Sequence, residues 1–126
     1  WSSARAGSLV ARIGHGKTLF ASAVLFALGI ALCAGNLPMT LLGMIAFTVG
    51  FFAVHSTASG WVGQIATHDR AEASSMYVFC YYFGSSVVGA CAGLLFDALS
   101  WPLFIAFFTA VALALTALTW TKIKSD

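Results

Sequence analysis

Four long apolar runs without a charged side chain restrict how this chain can fold more than any other feature. The runs cover about residues 18–35, 39–61, 73–95 and 103–121. At a rise of about 1.5 Å per residue, helices of about this length cross the roughly 30 Å hydrocarbon core of a bilayer. Inside lipid a backbone has to satisfy its own hydrogen bonds, and a helix does so within one segment. The runs therefore predict an all-α integral membrane fold with four transmembrane helices.

The scarcity of charge excludes a soluble domain. Asp, Glu, Lys and Arg make up 8% of the 126 residues and apolar residues make up 60%, whereas soluble domains have about 25% charged residues. The basic residues form no run of the kind that binds nucleic acid. The cysteines at 33, 80 and 91 lack metal-ligand or redox spacing. No paired carboxylates, nucleophile–base spacing or phosphate-binding loop occurs, so we expect no metal, no cofactor, no catalytic residue and no enzyme activity.

Short polar breaks separate the runs. Asn36 and Pro38 mark a tight turn, because proline disfavours helical conformation at the residue before it. Residues 62–72 form a longer break, in which Asp69 and Glu72 have the spacing of a helix capping box. The third and fourth runs are separated by a break whose proline suits the first turn of the next helix.

The positions of Lys and Arg predict the orientation in the membrane. The five stretches outside the apolar runs carry three, zero, one, zero and two of them in chain order. Loops rich in Lys and Arg stay on the cytoplasmic side. Residues 1–17, the 62–72 loop and the C-terminus are therefore expected in the cytoplasm. Trp61, Trp101 and Trp120 lie near the ends of runs, where an interfacial belt places tryptophan.

The second run carries a weak polar stripe on one helix face. The stripe follows gaps of four, three and four residues along Thr48, Phe52, His55 and Ser59. His55 lies about five residues from the predicted cytoplasmic end of its helix, only roughly 7–8 Å deep by helix rise. It is either hydrogen-bonded to a neighbouring group or a protonatable gate, since histidine changes charge near physiological pH.

The third run carries tyrosines on one face. Tyr77 is as shallow as His55 and is either an interfacial anchor or part of the same gate. Tyr81 is roughly 6 Å deeper by helix rise, where its hydroxyl needs a protein partner or a wet cavity. We expect His55, Ser59 and Tyr77 to form a gate at the cytoplasmic mouth. A substrate cavity nearer the middle of the bilayer is expected to be lined by Thr48, Phe51, Phe52, Tyr81, Gly84 and Ser85.

A second face of the third run carries small residues. Ser86, Gly89 and Gly93 follow gaps of three and four residues. Small residues in the GxxxG register let two membrane helices approach closely. We expect this face to pack against another helix.

The first 17 residues contain a motif with a family resemblance. GSLVARIGHGK, residues 7–17, resembles the cytoplasmic loop motif G-x-x-x-D-R-x-G-R-R of the major facilitator superfamily. Gly7, Arg12 and Gly14 fall on the motif, Ala11 stands where the aspartate belongs, and a His-Gly pair replaces the basic pair. The stretches HSTASGWVG and ASSMYVFCYYFGSS are similar to helices ten and eleven of bacterial drug- or sugar-efflux-type members.

The resemblance implies the C-terminal portion of a twelve-helix secondary transporter, from the end of helix eight through helix twelve. Residues 1–17 would be a cytoplasmic loop and residues 18–126 the transmembrane region, in a bacterial inner membrane. The transporter would move a small organic molecule, with proton-coupled efflux by alternating access. Its partners would be membrane lipid, the substrate and the missing N-terminal part of the same transporter. A chain that begins at Trp1 also favours a fragment.

Two alternatives stay open. A small four-helix multidrug exporter has about this length, but that type resembles a dimer built around a glutamate in its first helix, and the 18–35 run has no charge. A non-transporting membrane subunit could instead pack against a partner through Gly89 and Gly93.

Overall fold

The computed structural model describes residues 1–125, which form five helices and no strand. The helices are α1 (Ser2–Ile13), α2 (His15–Leu32), α3 (Leu37–Ile65), α4 (Arg70–Ala98) and α5 (Trp101–Ser125). Four of them, α2 to α5, are long and apolar enough to cross a membrane. The predicted all-α fold with four such helices is therefore confirmed.

Most of the first 17 residues, which the sequence assigns to a cytoplasmic loop, form the helix α1. In α1, Ala6 is 2% exposed and Val10 is half-buried, whereas Arg5 and Arg12 are exposed. The helix packs against α3. The stretch is too polar to cross a bilayer, but its small and apolar residues recur at helical spacing and form a face that can dock. Its cytoplasmic location stays a prediction.

Gly14 separates α1 from α2. Its φ of 88° and ψ of 166° are a conformation that residues with a side chain rarely adopt. Its N–H donates to the Val10 carbonyl at 2.9 Å, and its own carbonyl accepts from the Thr18 N–H at 3.2 Å. One residue thus ends the first helix and begins the second.

The connection between α3 and α4 is shorter than the sequence indicates. Because α3 continues to Ile65 and α4 begins at Arg70, only residues 66–69 connect them. Asp69 has the left-handed φ of 53° and ψ of 44°, and its side chain makes no capping hydrogen bond. The predicted capping box is wrong, because an N-cap side chain normally reaches the first-turn N–H groups from an extended backbone.

The turn between α2 and α3 is held by side chains at both ends. Asn36 caps α3, since its side-chain oxygen accepts from the Met39 N–H at 3.2 Å. The Trp101 indole N–H, at the start of α5, donates to the Cys33 carbonyl at 3.0 Å. The predicted break at Asn36 and Pro38 is confirmed, and the hydrogen bond from Trp101 ties α5 to it.

Glycines allow α2 and α3 to cross closely. A Cβ atom on Gly43 would lie 2.7 Å from the Gly29 carbonyl oxygen, and one on Gly50 would lie 2.6 Å from the Phe26 backbone nitrogen. No side chain fits at those separations. Backbone approach of this kind is how membrane helices gain packing contacts without a hydrophobic driving force.

The buried core lies where α2 packs against α5. It consists of Ala27, Ile30, Ile105 and Ala112, with Phe104 and other aromatic residues packed beside it. α4 lies outside this core: it has no buried residue and packs mainly against α3. Its large apolar side chains, among them Met76, Phe79, Phe83 and Leu94, are 62–73% exposed.

Candidate functional site

A hydrogen bond between α3 and α4 joins two of the three predicted gate residues. The Tyr77 hydroxyl lies 3.0 Å from His55 Nδ1 and 3.4 Å from the His55 carbonyl oxygen. When Tyr77 donates to Nδ1, that nitrogen is unprotonated and the ring proton sits on Nε2. Both side chains are half-buried. Ser59, the third residue, is exposed and takes no part in this hydrogen bond.

Two predicted cavity residues complete an aromatic cluster around His55. The Tyr81 ring centroid is 4.5 Å from that of His55, and the Phe51 ring lies nearly parallel to His55 at 6.2 Å. The ring centroids of Phe51 and Tyr81 are 6.3 Å apart. We call Phe51, His55, Tyr77 and Tyr81 the aromatic cluster. Residues that the sequence assigns to a gate and to a cavity at different depths are therefore in contact.

The cluster follows from helical spacing on each side. Phe51 and His55 are four residues apart on α3, as are Tyr77 and Tyr81 on α4, so each pair shares one helix face. His55 lies ten residues before Ile65, about 15 Å from the end of α3 by helix rise.

The other predicted cavity residues lie outside the cluster. The Thr48 hydroxyl donates to the Met44 carbonyl at 2.7 Å, which satisfies it within its own helix. Phe52 is exposed and meets Phe51 edge-on at 5.5 Å. Gly84 is half-buried, Ser85 is exposed, and a Cβ atom on Gly84 would meet no atom of the described chain within 4 Å.

The predicted packing face of α4 contacts no helix among residues 1–125. A Cβ atom on Gly89 or Gly93 would meet no described atom within 4 Å, and the Ser86 hydroxyl donates to the Tyr82 carbonyl of its own helix at 2.9 Å. The close glycine contacts are instead between α2 and α3. Gly43 and Gly50 are seven residues apart and therefore lie on one face of α3. This spacing is the sequence signal that could have predicted the crossing.

An apolar cavity of about 490 Å³ lies between α2, α3 and α5. Phe26, Phe51, Trp61 and Leu115 are among its lining residues, and Lys122 lines it as well. Phe51 therefore forms part of both the cavity wall and the aromatic cluster. A volume of this size is typical of sites that bind small organic molecules, and its walls suit the apolar part of one.

One of the three motif residues, Gly7, lines a smaller pocket of about 230 Å³ between α1, α3 and the start of α2. His15 and Thr57 are among its other lining residues. His15 stacks on Trp61 at 5.6 Å, a contact between the motif and α3 that the sequence does not indicate. Arg12 is exposed in the last turn of α1.

Metal-binding geometry does not occur in the described part of the chain, where no three His, Cys, Asp or Glu side chains come together. The aromatic cluster offers two phenolic hydroxyls, an imidazole and three six-membered aromatic rings. These groups can contact aromatic or cationic groups of a ligand and can exchange hydrogen bonds between two helices.

A family model and several related proteins identify the family of this chain. The Major Facilitator Superfamily model matches residues 3–125. An uncharacterized MFS-type transporter, YybF, of Bacillus subtilis (strain 168) is 42% identical over 102 residues, which cover 80% of this chain and 25% of that protein. The inner membrane transport protein YnfM of Escherichia coli (strain K12) is 35% identical over 124 residues, which cover 98% of this chain and 30% of that protein.

No solved structure matches this chain. A third related protein is also named as a transporter. An uncharacterized transporter of Buchnera aphidicola subsp. Schizaphis graminum (strain Sg) is 34% identical over 125 residues, covering 98% of this chain and 30% of that protein. The chain spans only 25–30% of the length of these relatives. With a family match over nearly its whole length and with relatives named as transporters, this chain belongs to the Major Facilitator Superfamily.

Proposed function

We propose that this chain is the C-terminal portion, from the end of helix eight through helix twelve, of a secondary transporter that exports a small organic molecule. In this proposal, export is coupled to protons and proceeds by alternating access between two halves of the complete protein. The transporter resides in a bacterial inner membrane, with residues 1–17, the 66–69 connection and the C-terminus in the cytoplasm. The similarity to YnfM, an inner membrane transport protein, supports the location in that membrane, and the distribution of Lys and Arg supports the orientation.

The single observation that carries the site is the hydrogen bond between His55 and Tyr77 inside the aromatic cluster. It joins α3 to α4, the helix that the rest of the chain covers least. A polar link between two helices that otherwise pack loosely is a contact that can form and break as they move. We therefore assign the His55–Tyr77 pair to a gate, with Ser59 on the same face of α3.

In this proposal, protonation of His55 changes the hydrogen bond that forms the gate. Neutral His55 can accept the Tyr77 proton at Nδ1, whereas a protonated ring has no free acceptor and repels that donor. Protonation therefore weakens the link between α3 and α4 on the imidazole side and leaves the backbone carbonyl as the remaining acceptor. Histidine is the side chain that most commonly serves as a proton-dependent switch.

Substrate contacts are proposed next to the gate. Phe51 and Tyr81 present aromatic faces between the gate and the apolar cavity. From these two residues a band of proposed substrate contacts extends along α3 and α4 and includes Thr48, Phe52, Gly84 and Ser85. Stacking and cation–π contacts with such faces favour flat, apolar or cationic organic molecules. The band forms one wall, and the missing N-terminal part of the transporter supplies the opposite wall.

The test uses the complete transporter in inverted membrane vesicles with an inward proton gradient that acridine orange reports. A panel of organic dyes, ethidium among them, is added in turn. Reversal of the acridine orange quenching by at least one dye supports proton-coupled export. Dye accumulation without proton movement would contradict the coupling, and no response to any dye in vesicles that hold folded protein would contradict export of this substrate class.

A further inference from the structure

One end of the α2–α5 contact carries a cluster of two basic and two aromatic residues, which we call the basic seam. It consists of Lys17, Phe20, Trp120 and Lys124. The Phe20 and Trp120 rings are 5.1 Å apart at an angle of 45°, and Lys124 Nζ lies 5.6 Å from the centre of the Trp120 ring. The seam therefore combines positive charge with ordered aromatic rings across two helices.

The two lysines belong to helix ends that pack against each other. A Cβ atom on Gly16 would lie 3.1 Å from Ile123 Cγ1, so the start of α2 touches the end of α5. Lys17 and Lys124 follow these two residues directly in the sequence, and both are exposed. The cation–π contact leaves the Lys124 ammonium with hydrogen-bond donors for an anion, because it has three.

Acidic groups do not offset this charge within the described chain. Asp69, Glu72 and Asp97 belong to α4 and the loop before it, and α4 does not pack against α2. Asp126 lies outside the described residues. Among the residues that the structure describes, the end of the bundle at the seam is therefore electropositive.

Below the seam the same two helix faces are apolar and exposed. Leu28 lies eleven residues after Lys17, and Leu113 lies eleven residues before Lys124, a spacing of about three turns that returns to the same face. Leu28 is 57% exposed and Leu113 is 56% exposed. Each helix thus presents a cation at its end, an aromatic residue one turn deeper and a leucine about two turns below that.

We propose that the basic seam binds an anionic phospholipid. The headgroup phosphate lies between Lys17 and Lys124, Phe20 and Trp120 sit at the level of the glycerol backbone, and the acyl chains run along Leu28 and Leu113. Basic clusters between membrane helices recruit anionic headgroups, and tryptophan prefers the interface where tail and headgroup meet. Nothing in this assignment depends on which substrate the transporter moves or in which direction.

Lys122 provides a matched control for specific binding. It is two residues before Lys124 and so at almost the same depth, but about 200° away around α5, on the side that lines the apolar cavity. General attraction of a basic protein end to anionic lipid depends equally on both lysines. Of these two α5 lysines, only Lys124 contributes to holding a lipid in the seam.

The experiment measures lipid binding to the complete transporter by native mass spectrometry, with phosphatidylglycerol and phosphatidylcholine titrated separately. We expect Lys124→Gln or Lys17→Gln to weaken phosphatidylglycerol binding about fivefold each, since a lysine near the membrane surface contributes on the order of 1 kcal/mol to anionic lipid binding. Phosphatidylcholine binding stays unchanged, and Lys122→Gln changes phosphatidylglycerol binding less than about twofold. Trp120→Phe keeps the ring and retains most of the affinity.

Three results would overturn the proposal. Equal losses for Lys122→Gln and Lys124→Gln would indicate non-specific charge attraction, and no loss for either seam variant would exclude the site. Competition by soluble glycerol 3-phosphate at the same concentration would indicate a site for a free phosphate group. Thermal unfolding of each variant in phosphatidylcholine, expected to match that of the parent, separates a binding defect from misfolding.

Discussion

The Tyr77 hydroxyl lies 3.0 Å from His55 Nδ1, and this hydrogen bond is the polar link between α3 and the loosely covered α4. The ring centroids of Phe51 and Tyr81 lie 6.2 Å and 4.5 Å from that of His55, and 6.3 Å from each other. A pair of this kind has to find its partners inside the protein, because lipid offers no hydrogen bonds. Its position at the junction of two helices makes it the part of the chain most directly open to functional tests.

Replacing Tyr77 with phenylalanine removes the hydroxyl and keeps the ring. We expect Tyr77→Phe to lower the stability of the complete transporter by about 0.5–1.5 kcal/mol, the usual net contribution of one hydrogen bond, measured by thermal unfolding in detergent. Tyr82→Phe is the matched control, since Tyr82 is 63% exposed and contacts only the Tyr81 ring in the cluster. Equal effects of the two substitutions would contradict a specific role for the His55 contact.

Replacing His55 tests the gate through pH. His55→Gln keeps a hydrogen-bonding side chain of similar reach but cannot be protonated near neutral pH. We expect the pH dependence of proton flux in the complete transporter to flatten, with folding and membrane insertion retained. His68, which is exposed in the 66–69 connection, gives the control His68→Gln, for which the profile stays that of the parent. An unchanged profile in His55→Gln would show that His55 is not the gate.

Gly50 tests the close crossing of α2 and α3. A Cβ atom there would lie 2.6 Å from the Phe26 backbone nitrogen, whereas one on Gly60 of the same helix would meet nothing within 4 Å. We expect Gly50→Ala to destabilise the complete transporter by about 1–3 kcal/mol, as overpacking usually does, and Gly60→Ala to be neutral or slightly stabilising. Thermal unfolding of the two variants checks this, and a neutral Gly50→Ala would mean that the helices separate at little cost.

Gly93 tests whether the small face of α4 packs against a part of the transporter outside this chain. Within residues 1–125 the face is open, so a larger side chain costs nothing here. If Ser86, Gly89 and Gly93 pack in the complete protein, Gly93→Leu lowers the amount of folded transporter, measured by fluorescence-detected size-exclusion chromatography. Val87→Leu, at an exposed position on another face, is the control, and equal yields for the two variants would refute the packing prediction.

The sequence predicted the helices better than it predicted their contacts. The break at Asn36 and Pro38 and the count of four candidate membrane helices depend on local properties, namely proline geometry and uninterrupted apolar length. The absence of the predicted capping box has a local cause, because Asp69 adopts a left-handed backbone where a capping box needs an extended one. The helix α1 differs, because it packs against α3, a contact between segments distant in sequence.

What the sequence by itself determined is therefore the part of the structure that the membrane imposes on each segment separately. An apolar run in lipid has to be helical whatever its neighbours are, because its backbone has no other hydrogen-bond partners. Only the tertiary structure decided that Tyr77 meets His55 and that Gly43 and Gly50, rather than Gly89 and Gly93, mark a close crossing within this chain. Helical spacing assigns residues to a face, but which face meets which depends on packing between segments distant in sequence.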